Sequence, residues 1–374
     1  MVYGIYYNQM KVLLISCYRH EYIRFSVLKS ALELLPDVEL SVIRNKKNGV
    51  RRYLEVIKAI IATRHNRPDI YLLTFRGYEI LWPLLLCAGN TPIIYDEFIN
   101  PLVVTREHRM QKTGIVRQLM KLWDLFGRLY YKLARSTNLI LLDTYQHATY
   151  SAHDGKIPLS QYAAIPVGAD EGLFKPGLKN VSNKLQVMFY GHMTPLHGLP
   201  QILEAASLLA GEPIEFTIVG GHEKAATAVQ AATKRGATIK HYNQKPITEL
   251  ATMIAEADLF LGGPFGGTLQ SGLVVTGKTY QSLACQTAVI VGSSDATNQF
   301  FKDRQNAIIV PQADSMTLAS AILWASKHPE ELQEIAKAGR QTFEHSFSTK
   351  AIAALLEPSL LKLTDPEPEA TTTQ

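Results

Sequence analysis

Cysteine is scarce in this chain. Its three residues, Cys17, Cys87 and Cys285, are far apart in 374 and show no C-x-x-C spacing. That argues against a disulfide framework or a zinc site and fits a reducing cytosol. Long apolar runs are missing as well. The most apolar window, Ile80–Ala88, is short and contains Pro83, well below the roughly 18 residues that a membrane span requires. No charged n-region leads into an apolar stretch near the N-terminus, so no secretory signal is expected. The expected location is cytoplasmic, with the inner membrane face as a variant of it. No short-period repeat or low-complexity block is present. A strong charge bias is lacking too: 38 basic against 33 acidic residues leave a formal +5. Such a balance suits a phosphate-bearing ligand or an anionic surface without requiring either.

What remains is the composition of a folded protein long enough for two domains. The first half alternates apolar runs (Val12–Ser16, Val38–Ile43, Ile70–Leu73, Pro92–Tyr95, Leu139–Leu142) with helical patterns around Ile23–Leu34, Val50–Ala62, Ile80–Ala88 and Ile115–Leu133. Alternation of this kind predicts βαβ units and parallel sheets. A Pro/Gly-rich stretch, IPVGADEGLFKPGLKN, then reads as a linker. The pattern restarts at Leu185–Tyr190, Glu215–Val219, Leu259–Leu261, Ala288–Val291 and Ala307–Val310. The expected layout is a Rossmann-like domain over 1–170, a linker over 171–184 and a second domain over 185–345. A helix over 346–363 is expected to pack back toward the first domain. The tail 364–374 and the segment Met1–Gln9 are expected to be disordered and peripheral, respectively.

The segment Ala257–Gly292 is the most informative. An apolar run ends in Gly262, Gly263, Gly266 and Gly267, and a short helical segment and a second apolar run follow. Strand, glycine loop and helix together offer main-chain N–H groups and a helix N-terminus to a phosphate. The segment FYGHMTPLHGLP has a related form. Gly191 permits a turn after a strand, and His192 and His197 either donate to a diphosphate, partly neutralising it as His⁺, or merely cap and cover the turn.

Gly191, the PLHG loop (Pro195–Gly198) and ILEAA (Ile202–Ala206) resemble the start of the donor domain in family 4 (group 1) glycosyltransferases. IPVGADEGLF (Ile165–Phe174) is similar to that family's linker. ADLFL, KTYQSLACQTAVI (Lys278–Ile290), NAIIVPQAD (Asn306–Asp314) and LASAI (Leu318–Ile322) follow in the family's order. In the first domain only FRGYE (Phe75–Glu79) and YDEF (Tyr95–Phe98) are loosely similar. The resemblance implies a GT-B fold: two doubly wound Rossmann-like α/β domains facing across a cleft, with a nucleotide sugar on the second and an acceptor on the first. It also implies retention of configuration without an obligate metal or other cofactor. The absence of a D-x-D pair between a strand and a helix agrees with that.

The implied donor-binding residues are Gly191, His192, His197, Gly266, Gly267, Thr268, Lys278 and Gln281. Many members of the family carry two glutamates eight residues apart, where this chain has Leu273 and Gln281. A glutamine can still accept from a ribose hydroxyl, whereas a leucine cannot orient a sugar hydroxyl. Lys278 and Gln281 are similar to a K-x-x-Q branch that shares the PLHG loop; Lys278 read alone is a solvated helix residue. Where the family often has a histidine on the acceptor side, Asp96 and Glu97 stand. Either would take a proton from an acceptor hydroxyl, cap the next segment, or pair with Arg106 or Arg109. Arg76 is a further acceptor-side candidate, suited to a phosphate or carboxylate.

Residues 106–135 carry eight basic and two acidic residues over a helical apolar repeat. This is either an ordinary helix with a solvated basic face or a surface for an anionic membrane carrying a lipid-linked acceptor. Nucleic acid is not an expected partner, because no aromatic-basic module is present. Two rivals to glycosyl transfer are a 2-epimerase-like enzyme and a non-catalytic binding or scaffold protein.

Overall fold

Alternate residues of strand β1 (Met10–Ser16) enter opposite sides of a parallel sheet. The computed structural model describes residues 9–18, 22–110, 123–179 and 182–364. It divides into two compact units, the described parts of Met1–Pro166 with Thr349–Gln374, and of Val167–Ser348. The segment Met1–Gln9 apart from Gln9, the first part of the expected helix Ile115–Leu133, and the tail after Thr364 lie outside the described residues.

The first unit holds strands β1, β2 (Val38–Arg44), β3 (Ile70–Leu73), β4 (Ile93–Phe98), β5 (Leu139–Leu142) and β6 (Tyr162–Ala164), paired in the order β2-β1-β3-β4-β5-β6. Every pairing is parallel, with Val12 opposite both Leu40 and Ile70. Leu13 and Ile15 join Tyr71, Leu73 and Tyr95 under helices Arg51–Ala62, Leu81–Ala88, Trp123–Arg135 and Tyr145–Gly155. Val12 and Leu14 join Ile70, Leu72 and Ile94 on the other face, under helices Ile23–Glu33 and Thr349–Thr364. A sheet covered on both faces needs central strands that are apolar throughout, which is why β3 and β5 lack a polar alternate. Each fully buried Leu or Ile contributes roughly 1.5–3 kcal/mol.

In the second unit the strands are β7 (Leu185–Tyr190), β8 (Ile214–Val219), β9 (Ile239–Tyr242), β10 (Leu259–Leu261), β11 (Ala288–Gly292) and β12 (Ile308–Val310), again all parallel. Their order is β12-β11-β10-β7-β8-β9. Val187, Phe189, Leu259, Leu261 and Ile290 pack with Leu203 and Ile322 from the helices Leu199–Leu208 and Ser315–Lys327. Strands β6 and β9 were not expected from sequence. Both are edge strands: β6 has three residues, and β9 alternates half-buried with exposed positions. An edge strand has only one neighbour to bury it, so its apolar signal is weak.

Candidate functional site

The strand order of the second unit reverses between β7 and β10. An open parallel sheet leaves a crevice outside its strands' carboxyl ends at such a reversal. Two loops meet there, 191–198 after β7 and 262–268 after β10. The Gly266 N–H donates to the Leu196 carbonyl at 3.1 Å. A methyl group on Gly266 would come within 1.9 Å of the Pro195 carbonyl oxygen. Gly198, at φ +70°, opens the helix Leu199–Leu208, and a Cβ there would stand 2.7 Å from the Phe265 main chain. Only glycine admits both approaches, so the two loops are locked as one surface.

Side chains fix the next turns. The Thr276 hydroxyl donates to the Gly262 carbonyl at 2.7 Å, tying the start of the helix Gly277–Ala284 to the glycine loop. Thr268, beside the exposed Gly267, caps the short helix Leu269–Leu273 by accepting from the Ser271 N–H at 3.2 Å. Gln312 then holds Ser271, accepting from its hydroxyl at 2.6 Å and donating to its carbonyl at 2.9 Å. Leu273 ends that helix, 9% exposed.

Lys278 is not a solvated helix residue. It is 7% exposed, and burial pushes its amine down to about 7. Among the described residues its ammonium has no hydrogen bond or ion pair, and it stands 6.0 Å from the Phe189 ring. It lies 3.8 Å from the point where a Cβ on Gly191 would sit, and His197 Nδ1 lies 3.0 Å from that same point. His197 Nδ1 is buried without a hydrogen-bond partner. Burial, and then the nearby Lys278 and His192, push His197 down to about 2. Burial beside Lys278 thus disfavours an imidazolium at His197 in the ligand-free chain. His192 is exposed on the same loop.

Gln281 is buried too, at 5% exposed. Its side-chain oxygen accepts from the Tyr190 hydroxyl at the end of β7. That oxygen keeps a second lone pair, and the amide N–H₂ remains a further donor. Gly191, His197, Gly266, Lys278 and Gln281 come together along the β7–β10 edge.

In the first unit the carboxylates take structural partners. Adjacent strand residues face opposite sides of a sheet, and Asp96 and Glu97 separate accordingly. Asp96 is fully buried and paired with Arg24 at 2.9 Å. The same guanidinium donates to the carbonyls of Ile165 and Pro166 at 2.6 and 2.8 Å. Glu97 accepts from Ser151 at 2.7 Å, and burial raises both carboxyls above their ordinary values. Neither is paired with Arg106, which holds Asp154 at 2.9 Å instead. A carboxylate open at this edge is corrected on the ground of burial, since both groups are sealed in the core, although Glu97 Oε2 has no hydrogen-bond partner there. Arg76 adopts left-handed backbone (φ 59°) and pairs with Glu79 at 2.7 Å. Glu79 also accepts from Arg52 at 2.8 Å, and the Arg76 guanidinium lies 4.7 Å from the Tyr18 ring centre.

Residues 172–342 match the family model described as glycosyl transferases group 1. The second unit carries a group 1 glycosyltransferase domain. The chain is accordingly a glycosyltransferase enzyme. Its two parallel six-stranded units have the GT-B architecture, and solved structures of that architecture are similar over almost the whole chain. HepE of Anabaena, in complex with UDP and glucose, shares 14% identity at a TM-score of 0.69, covering 94% of this chain and 99% of that one. A sucrose-phosphate synthase of Thermosynechococcus elongatus gives 15% and 0.70, over 95% and 99%. A glycosyltransferase of Rickettsia africae gives 13% and 0.68, over 96% and 100%. At such identities the likeness is one of fold. No curated protein sequence matches the chain.

In the glycosyltransferase domain, Tyr190 went unnoticed in the sequence because it reads as the last residue of a strand. Its position one residue before the Gly191 turn was the available signal. In the other unit, Arg24 is the one charged residue of the apolar face it shares with Phe25 and Leu28. Asp143 and His147, 2.8 Å apart, carried the signal of an i,i+4 pair directly after a strand.

Proposed function

We propose that the chain transfers a sugar from a nucleotide-sugar donor to an acceptor hydroxyl on a glycan or a lipid-linked saccharide, with retention of configuration. The donor diphosphate lies at the β7–β10 edge of the glycosyltransferase domain. The observation that carries this is the convergence on Gly191 of His197 Nδ1, buried without a hydrogen-bond partner, and the ammonium of Lys278, a residue 7% exposed and without a hydrogen bond or ion pair among the described residues. A buried ammonium without a counter-charge is costly unless an anion completes it, and a diphosphate is such an anion. HepE, which shares the fold, is solved with UDP and glucose, which favours a uridine nucleotide.

As the sugar–phosphate bond breaks, negative charge grows on the leaving diphosphate. Lys278, protonated on donor arrival, offsets it, and the His197 Nδ1–H tautomer and the main-chain N–H groups of the glycine loop donate to its oxygens. One such pre-set donor is typically worth about 10²–10³ in rate. The reading needs no metal, and activity undiminished by EDTA is the expected result. Lys278 and Gln281 support placement in the K-x-x-Q branch of family 4. Three buried free cysteines suit a reducing compartment.

Leu273 favours a second reading, a domain that binds donor without transfer, because an apolar side chain stands where related sequences read the sugar. Calorimetric titration of the full chain with UDP-, GDP- and ADP-sugars decides between them. Binding without hydrolysis or transfer selects the second reading. Absence of binding to every donor, or Lys278→Ala binding as tightly as the parent, overturns the first.

A further inference from the structure

The helix Arg51–Ala62 packs beside Leu81–Ala88, and that helix beside Trp123–Arg135, all three on the same face of the first sheet. Each turns an unusual stripe outward. On the first, Arg51, Leu54, Lys58 and Ile61 are exposed at i, i+3, i+7 and i+10. On the second, Trp82 and Leu86 are 55% and 71% exposed one turn apart. On the third, Leu125, Arg128, Leu129 and Lys132 share one side, and Leu125 is 69% exposed. Leu125, Phe126, Arg128, Leu129 and Lys132 line a shallow depression of about 620 Å³.

Among the described side chains, the exposed charges on this layer have one sign. Glu55 is half-buried and accepts from the main-chain N–H groups of Lys46 and Lys47 at 3.0 and 2.9 Å. No acidic residue on the three helices is described as exposed. The basic stripe expected over 106–135 is sorted by the structure. Arg106 is held by Asp154, and Arg135 donates to the carbonyls of Gly155 and Lys156. Arg128 and Lys132 make no hydrogen bond or ion pair among the described residues and point outward. Lys112, Arg117 and Lys121 lie outside the described residues.

Single exposed leucines are ordinary, but six large apolar side chains on adjoining helices, interleaved with cations, mark a contact surface. We infer that this three-helix face docks on an anionic lipid bilayer, with Trp82, Leu86, Leu125 and Leu129 entering the headgroup boundary and Arg51, Lys58, Arg128 and Lys132 meeting lipid phosphates. Charge chooses this occupant. A two-fold dimer through the same face would set the four cations against their own copies. A nucleic acid would match the cations and leave the leucines in water. A bilayer supplies apolar depth and negative charge in the same plane. No helix among the described residues is long and apolar enough to cross a membrane, so the contact is peripheral.

The inference rests on the first unit alone, so its failure and the failure of donor binding are separate results. The full chain is sedimented with phosphatidylcholine vesicles with and without phosphatidylglycerol, at low and high salt. The expected result is binding to the anionic vesicles at low salt, weakened at least about thirty-fold by Arg128→Ser with Lys132→Ser, taking about 1 kcal/mol per cation. Leu125→Ser with Leu129→Ser weakens it similarly, and donor affinity stays at the parent value in both variants. No binding to anionic vesicles, or binding unchanged in both double variants, overturns the inference. So does light scattering that shows a dimer which either leucine variant dissociates.

Discussion

Replacing Lys278 by methionine removes an ammonium that the fold holds out of water and keeps most of its stem. Burial lowers the lysine from 10.5 to about 7. At about 1.4 kcal/mol per pH unit, the charged form is disfavoured in the folded state by up to about 5 kcal/mol. The unfolded chain keeps its proton up to its ordinary value near 10.5, while the folded chain sheds it near 7. Between those limits the unfolded state binds more protons, so this group's contribution to stability rises with pH. Below pH 7 the penalty is complete, and above about 10.5 it is gone. Lys278→Met is therefore expected to stabilise the ligand-free protein by a few kcal/mol at pH 6–7, with the gain shrinking by about 1.4 kcal/mol per pH unit toward pH 10. Urea unfolding of parent and variant at matched pH isolates the term, because titrating groups not coupled to Lys278 cancel in the difference. Lys179, lowered to about 8 by burial, is one of them. His197, which Lys278 lowers, does not cancel below its ordinary value of 6.5. The same variant should lose donor binding, and so gain stability at the expense of function. A parent–variant difference that is flat from pH 6 to 10, or a destabilised variant, would refute the claim that this ammonium waits desolvated for an anion.

Gly266→Ala is expected to lower the melting temperature markedly and to abolish donor binding, since its methyl group would lie 1.9 Å from the Pro195 oxygen; a variant that melts and binds like the parent refutes the interlock. Arg24→Ala should cost about 3–5 kcal/mol in urea unfolding, because it strands a buried carboxylate. Asp96→Asn should lower stability yet leave kcat/KM of the folded fraction within about two-fold, and a hundred-fold loss would return Asp96 to a catalytic role. Tyr190→Phe removes the hydroxyl that holds Gln281. It should raise the donor KM several-fold with little change in kcat, whereas an unchanged KM would detach Gln281 from donor binding.

Periodicity exposed most of the core in advance. Strands buried on both faces, such as Ile70–Leu73, cannot be written without an apolar run, and a run of that kind survives any tertiary context. The glycine loop was legible for a related reason, since close approach demands glycine whatever surrounds it. Three things stayed hidden, each because it depends on a distant partner. Nothing near Lys278 announces that Phe189 and Gly191 will enclose it. Nothing near Asp96 points to Arg24, 72 residues earlier. The docking face is assembled from three separated helices, of which only the last showed a basic stripe by itself.

The helix Thr349–Thr364 closes the first unit's core by placing Ile352, Leu356 and Leu360 with Val12 and Leu14, and the whole of Val167–Ser348 lies between the two in the chain. Synthesis runs from the N-terminus at about 5–20 residues per second, and domains fold as units while it proceeds. The glycosyltransferase domain is thus synthesised entire while one side of its neighbour's sheet still lacks a helix. The unit translated first is the one finished last. A chain ending before Thr349 would carry the whole donor domain and a first sheet open on one face.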